Sequence, residues 1–292
     1  MTISSQMNTT RRNLPITLAM LAGPILSPLA GQEMQHAGAS RQLINQTALH
    51  ATVTFAAGNL TIGTGAAGML YRMNIDYDGE RFTPVSRWDA SAQSVELGLK
   101  ASGEGGLRVS NREHLAQTAI IEFSREVPLS LDVTIGAAEA VLELGGLRLT
   151  TLRLSTAASR TAVRFGSVNP GRCDSLALEA GAAEVLVQAL GNSRCRDVRV
   201  NGGAGGVTLD LSGAWTGETS LSVALAVGQV TLRIPQGLGV SLSLDRFLSS
   251  FEPKGFVPVE GAWQTPEFGQ SPRRVNIHLT SAIGGVRIEW LP

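Results

Sequence analysis

LALEAGAAEVLVQALG, from Leu176 to Gly191, consists of two alternating apolar runs joined by a cluster of small residues. Leu176 and Leu178 alternate with Ala177 and Glu179, and Val185 and Val187 alternate with Glu184 and Leu186. A period of two marks a half-buried strand, and the Gly181-Ala182-Ala183 link reads as a tight connection that larger side chains would resist. The phrase occurs six times. It begins as LDVTIGAAEAVLELGGL at Leu131 and LRLSTAASRTAVRFGSV at Leu152, and follows Leu176 as VRVNGGAGGVTLDLSG, LSVALAVGQVTLRIP and VNIHLTSAIGGVRIEW. Ala157 to Ala182 is 25 positions, Ala182 to Ala204 is 22 and Ala204 to Val227 is 23. A repeat of that length means stacked supersecondary units, each stable only against its neighbours. The expected fold is all-β, a β-solenoid-like stack of repeated hairpin units.

Composition fits a stack built from Val, Leu, Ile and Ala: 292 residues, 43% hydrophobic, 33 Gly and 5% aromatic. Formal net charge is zero at pH 7, which gives no basis for electrostatic capture of nucleic acid or an anionic membrane.

The N-terminus reads as a secretory signal. Arg11 and Arg12 precede an apolar stretch from Leu14 to Ala30, and the small residues Ala30 and Gly31 offer a cleavage point. Residues 1–31 are therefore expected to be a signal peptide and the protein periplasmic or extracellular, with no membrane span beyond that peptide. Residues 32–49 show no period and read as a linker or cap, and 50–292 as a single repeat-built β domain. Within it, 50–100 form an N-terminal module with a strand pair turning at Asp78-Gly79, 131–240 the repeats, and 275–292 the last hairpin. Between these last two, 241–274 depart from the pattern. Leu244, Phe247, Leu248 and Phe251 fall at helical spacing, so a short helical or irregular cap is expected there.

The two cysteines, Cys173 and Cys195, lie one repeat apart at equivalent places in neighbouring units. Adjacent strands are about 4.8 Å apart, within reach of a disulfide, and in an exported protein a bridge is the default.

The chain resembles bacterial toast-rack domains. The resemblance rests on GNLTIGTGAAGMLYRMNIDY and PVS in the first module, NREHLAQTAIIEFSREVPLSLDVTIGAAEAVLELGGLRLTTLRLSTAAS, the GQVTLRIP unit and the closing GFVPVEGAWQTPEFGQSPRRVNIHLTSAIGGVRIEW, and covers about Ala51 to Trp290. Such domains are the soluble parts of cell-wall-stress and phage-shock-type regulators and are similar to adhesin-like domains of exported bacterial proteins. The resemblance implies a hairpin stack and an interaction role at the envelope, and supplies no catalytic residues. The chain lacks the regulators' multi-helix membrane part, which argues against direct signalling.

Motifs for chemistry are sparse. The run Asn201 to Gly206 precedes a strand, whereas a phosphate loop needs a helix. Asp76, Asp78 and Glu80 lack the further ligands of a calcium loop. Glu139, Glu143, Glu179, Glu184 and Asp210 read as solvent-side charges, and His114 has no evident partner. No catalytic, cofactor or metal residue is expected. The function expected is a non-enzymatic exported scaffold or adhesin-like module binding an envelope protein or surface polymer. The alternative is a polysaccharide-active enzyme or glycan-binding module, with Trp88, Trp215 and Trp263 as possible sugar platforms.

Overall fold

The computed structural model describes residues 34–102 and 116–292. In chain order its strands are β1 (Met34–Gln42), β2 (Leu49–Thr64), β3 (Met69–Asp78), β4 (Phe82–Asp89), β5 (Ser94–Ala101), β6 (Thr118–Phe123), β7 (Leu129–Glu143) and β8 (Leu149–Thr156). There follow β9 (Arg160–Arg164), β10 (Cys173–Gln188), β11 (Cys195–Asp210), β12 (Glu218–Pro235), β13 (Gly239–Phe251), β14 (Val257–Val259), β15 (Ala262–Gln264) and β16 (Arg274–Leu291). The stack expected from the repeats is present, and all of these strands belong to one sheet system.

Each repeat differs from a hairpin in one respect. In β10 the two alternating runs form one continuous strand, paired in parallel with β11 from Cys173↔Cys195 to Val187↔Leu209. A straight strand of 16 residues would reach about 50 Å, whereas the link from Gln188 to Cys195 spans at most about 25 Å. In-register parallel pairing therefore requires the strand to double back. The small residues mark the bend, and the two arms face each other across a core instead of pairing edge to edge. Their alternation changes phase there: Leu176, Leu178 and Ala180 are buried before the bend, and Ala183, Val185 and Val187 after it. A sequence pattern of strand, small residues, strand is the same for both geometries. What separates them is where the backbone hydrogen bonds go, and here they go to the neighbouring rungs.

The bend needs glycine where rungs approach closely. Gly205, Gly228 and Gly284 are in register on β11, β12 and β16, with φ of 126°, 136° and 137°. A Cβ on Gly228 would overlap the Gly205 carbonyl oxygen, and one on Gly284 that of Gly228. In one rung the strand breaks at the bend into β8 and β9, where the Ser159 hydroxyl hydrogen-bonds with Thr156 and Thr161.

Both ends depart from chain order. β5 and β6 pair in parallel with the two arms of β2 and so form the first rung, although they follow β2 in sequence. At the other end β16 lies between β12 and β13. Antiparallel strands then cover each end: β4 on β5, β3 on β6 and β1 on β3, and β15 on β13 with β14 beyond. Covering an end in this way blunts its free edges.

Three local expectations change. Met34–Gln42, read as a linker or cap with no period, is the regular strand β1, which covers the first end. The strands flanking Asp78-Gly79 take different neighbours, so they are not a hairpin. Gly239–Phe251 is a strand and not a helix: it repeats the bend, with Leu244 before it and Leu248 in register with Ile283 after it. The apparent helical spacing arose from the change of phase.

Cys173 and Cys195 are disulfide-bonded, their Cα atoms 4.2 Å apart on adjacent rungs. Beside them the buried Asn169 side-chain amide donates to the Leu149 and Ser193 carbonyls, tying successive links together. Reducing the bond, or changing both cysteines to serine, is expected to cost about 3 kcal/mol in the chain-entropy model. Urea unfolding with and without reductant checks this, and an unchanged midpoint would count against it.

Candidate functional site

The outer face of the first arms is the most regular surface. Thr52, Asp132, Arg153, Ala177, Arg199 and Ser222 form one straight row across successive rungs, continued by His278 and Ser243. A second row runs through Thr54, Thr134, Ser155, Glu179, Asn201 and Ala224 to Thr280 and Asp245. Neither contains a large apolar side chain. The charges are mostly paired within the face: Arg153 lies 3.9 Å from Asp132, Arg199 donates to Asp197, and His278 is 3.6 Å from Asp245. Beside the second row a shallow trough of about 660 Å³ follows the bends and is lined by residues that include Thr134, Glu179, Gly181, Asn201, Gly203 and Thr280.

The outer face of the second arms is an ion-pair ladder. Arg164 donates to Glu143 at 2.7 Å and to the Gln188 side chain at 2.8 Å, and Arg233 donates to Glu289 at 2.8 Å. Arg160 bridges Glu184 at 3.2 Å and Glu139 at 3.9 Å. Asp210 lies in register with Arg233 and accepts the Ser212 backbone N–H. The carboxylates considered as acids or bases are therefore spread over two outer faces, with Glu179 on one and the other four on the opposite arm. Such half-exposed pairs contribute little, so Arg164→Ala is expected to cost no more than about 1 kcal/mol by thermal unfolding. A loss of several kcal/mol would mean that the ladder holds the arms together.

The tryptophans do not share a platform. Trp215 is 5% exposed, and its indole N–H donates to the Leu211 carbonyl, which removes it from the candidate interaction surface. Trp88, on β4, lies beneath the Arg41 guanidinium, 4.5 Å from the ring centroid, and against Tyr71. Trp263, on β15, packs against Phe251 at the opposite end of the stack. Both of these indoles are half-buried against a cap, a placement that sequence alone does not distinguish from a ring standing free on a face.

Asn201 to Gly206 is the bend of β11, as expected of a run entering a strand. Among the described residues no three of His, Cys, Asp and Glu gather closely enough to hold a metal ion. The Asp89 carboxyl is held below its usual range by the Ser91 hydroxyl, then by the backbone N–H groups of Ala92 and Ser91, in the turn between β4 and β5. His114 and the apolar stretch from Leu14 to Ala30 lie outside the described residues, among which no helix is long and apolar enough to cross a membrane.

Residues 30–185, more than half of the chain, match the family described as the N-terminal domain of toast_rack, DUF2154. The chain belongs to the toast-rack family. No curated protein sequence matches it. Among solved structures this toast-rack chain is similar to a protein provisionally assigned to cell adhesion from Clostridium sporogenes, with 15% identity, 89% of this chain and 100% of that one covered, and a TM-score of 0.49. It is also similar to a provisionally assigned adhesin from Bacteroides fragilis, with 12% identity, coverage of 87% and 97%, and a TM-score of 0.38.

The two rows on the first arms were not singled out from the sequence. The signal was there in the polar members of the alternation, Arg153 in LRLS and Arg199 and Asn201 in VRVN. It becomes visible only when the repeats are stacked in register.

Proposed function

We propose that this toast-rack protein is a non-enzymatic, exported interaction module of the adhesin-like kind, which uses the outer face of its first arms to bind an envelope protein or surface polymer. The observation that carries this reading is the pair of straight, mainly polar rows that cross eight rungs from β2 to β13. A stack of rungs sets its outward-facing groups at a fixed spacing, a geometry suited to an extended partner. Net neutrality leaves selectivity to local shape and hydrogen bonding, not to long-range charge. Export is supported by the signal-like residues 1–31 and by the disulfide, which persists in oxidising compartments.

The test is retention on isolated bacterial envelope fractions. Placing arginine at Thr134, Glu179 and Thr280 together is expected to abolish retention, whereas Arg164→Ala on the opposite arm leaves it unchanged. Loss with both variants, or with neither, would remove the first-arm face as the binding surface.

A further inference from the structure

In the first of the two rows on the first-arm face, one position carries only a methyl group. Ala177 on β10 lies in register between Arg153 on β8 and Arg199 on β11. Two strand spacings separate the arginine backbones, about 10 Å, and only a methyl group stands between them. Ser175 and Glu179, the outward neighbours of Ala177 along β10, bound the gap in the other direction, and Asn201 stands beside Glu179 on the next rung. The gap forms part of a depression of about 440 Å³ that extends from His50 and Thr52 on β2 to Arg199 and Asn201 on β11 and has Glu179 and Asn201 in common with the trough along the bends. Its size falls within the roughly 300–1,000 Å³ of small-ligand clefts.

Three features decide its chemistry. Among the lining residues the carboxylates Asp132 and Glu179 balance the guanidiniums of Arg153 and Arg199, and Arg199 is also paired with Asp197, so the depression offers no excess positive charge to an anionic ligand. No Trp, Tyr or Phe lines the depression, so a ligand seated there is held by hydrogen bonds and not by ring stacking. Each wall presents donors and acceptors side by side: guanidinium N–H groups next to carboxylate oxygens, the Ser175 hydroxyl, and the Asn201 amide. Hydroxyl groups both donate and accept, and a ring carrying several of them satisfies such a set better than a purely accepting or purely donating ligand does.

We propose that the slot over Ala177 is a subsite for one sugar ring of a neutral, hydroxyl-rich polysaccharide whose chain runs across the rungs along the trough. This rests on the first-arm face being the binding surface, as proposed above, and adds the class of its partner. Rings seated elsewhere along the trough would meet a lining of Ala and Gly with Ile135 and Leu225 among them, so the Ala177 slot sets register and the trough accepts length.

The probe is a printed array of neutral, uronic-acid-containing and sulfated glycans, exposed to the purified full chain. Binding to neutral glycans is expected. Ala177→Tyr, which fills the slot from a half-buried, outward-facing strand position, and Glu179→Gln, which removes an acceptor without changing volume, are each expected to weaken it at least tenfold. Both should melt with the parent. If Ala177→Tyr does not fold, Glu179→Gln carries the test alone. Signal confined to acidic glycans, no signal on any glycan, or neutral-glycan binding indifferent to Glu179→Gln would each overturn the proposal. If the array is silent while envelope retention still depends on Thr134, Glu179 and Thr280, the face stands and its partner is a protein. If retention is also indifferent to those residues, both readings fall.

Discussion

Gly228→Ala is expected to destabilise the protein by about 3 kcal/mol or more, and Gly206→Ala by no more than about 0.5 kcal/mol. The two glycines lie on adjacent rungs near the same bend. Gly228 sits at φ 136°, and its Cβ would overlap the Gly205 carbonyl oxygen, a backbone atom that can move only if the rungs separate. Separation would also disturb Gly284 on the far side, since its approach to the Gly228 oxygen is equally close. Gly206 has no positive φ, and nothing lies within 4 Å of its would-be Cβ. The measurement is the urea midpoint of each variant. Equal shifts would show that the glycine ladder is not what sets rung spacing.

The second large effect concerns the core. Leu232→Asp is expected to cost more than about 4 kcal/mol and to leave the protein open to protease, because it places an unpaired carboxylate in the apolar interior. Leu232 is fully buried, in register with Leu209 and Ile288, so the charge would touch three successive rungs. In a stack each rung is supported only by its neighbours, and loss is expected to spread toward the C-terminal end, where β16 and β13 depend on β12. Thr208→Asp, one residue from Leu209 but on the outward side of β11, should shift stability by about 0.5 kcal/mol or less. Limited proteolysis and circular dichroism separate the two outcomes, and a stable, protease-resistant Leu232→Asp protein would contradict the assigned core.

Much of this architecture is legible in the sequence, because alternation is enforced by burial. Val207, Leu209 and Leu211 can be placed on one side of a strand from spacing alone, and all three are buried. The cysteine pair is legible for the same reason: equal positions in successive repeats become neighbours in a parallel stack. What spacing does not encode is the partner of each backbone N–H. The small residues at Gly181 to Ala183 are compatible with a turn between paired strands and with a bend between arms that face each other, and only the short link from Gln188 to Cys195 argues for the second. The reversed rung order at both ends leaves no local trace either. Leu244, Phe247 and Leu248 carry a pattern whose change of phase imitates a helix.

The candidate site was less legible than the fold. Trp215 looks available in sequence because its neighbours Gly213, Ala214 and Gly217 suggest an open loop, yet its ring fills the link and its N–H is used by Leu211. Arg153, Ala177 and Arg199 look unrelated at separations of 24 and 22 residues, and become three adjacent positions of one row only through the register.

The central claim is that this toast-rack protein binds through a surface and performs no chemistry on what it binds. Incubating the purified protein with isolated cell-surface polysaccharide, and measuring retained protein and released reducing ends in the same sample, tests this most directly. Retention without any release of reducing ends is predicted, with retention lost in the Thr134, Glu179 and Thr280 arginine variant. Release of reducing ends that disappears on changing Glu143, Glu184 or Asp210 to alanine, in protein that still folds, would contradict it and establish a hydrolytic enzyme.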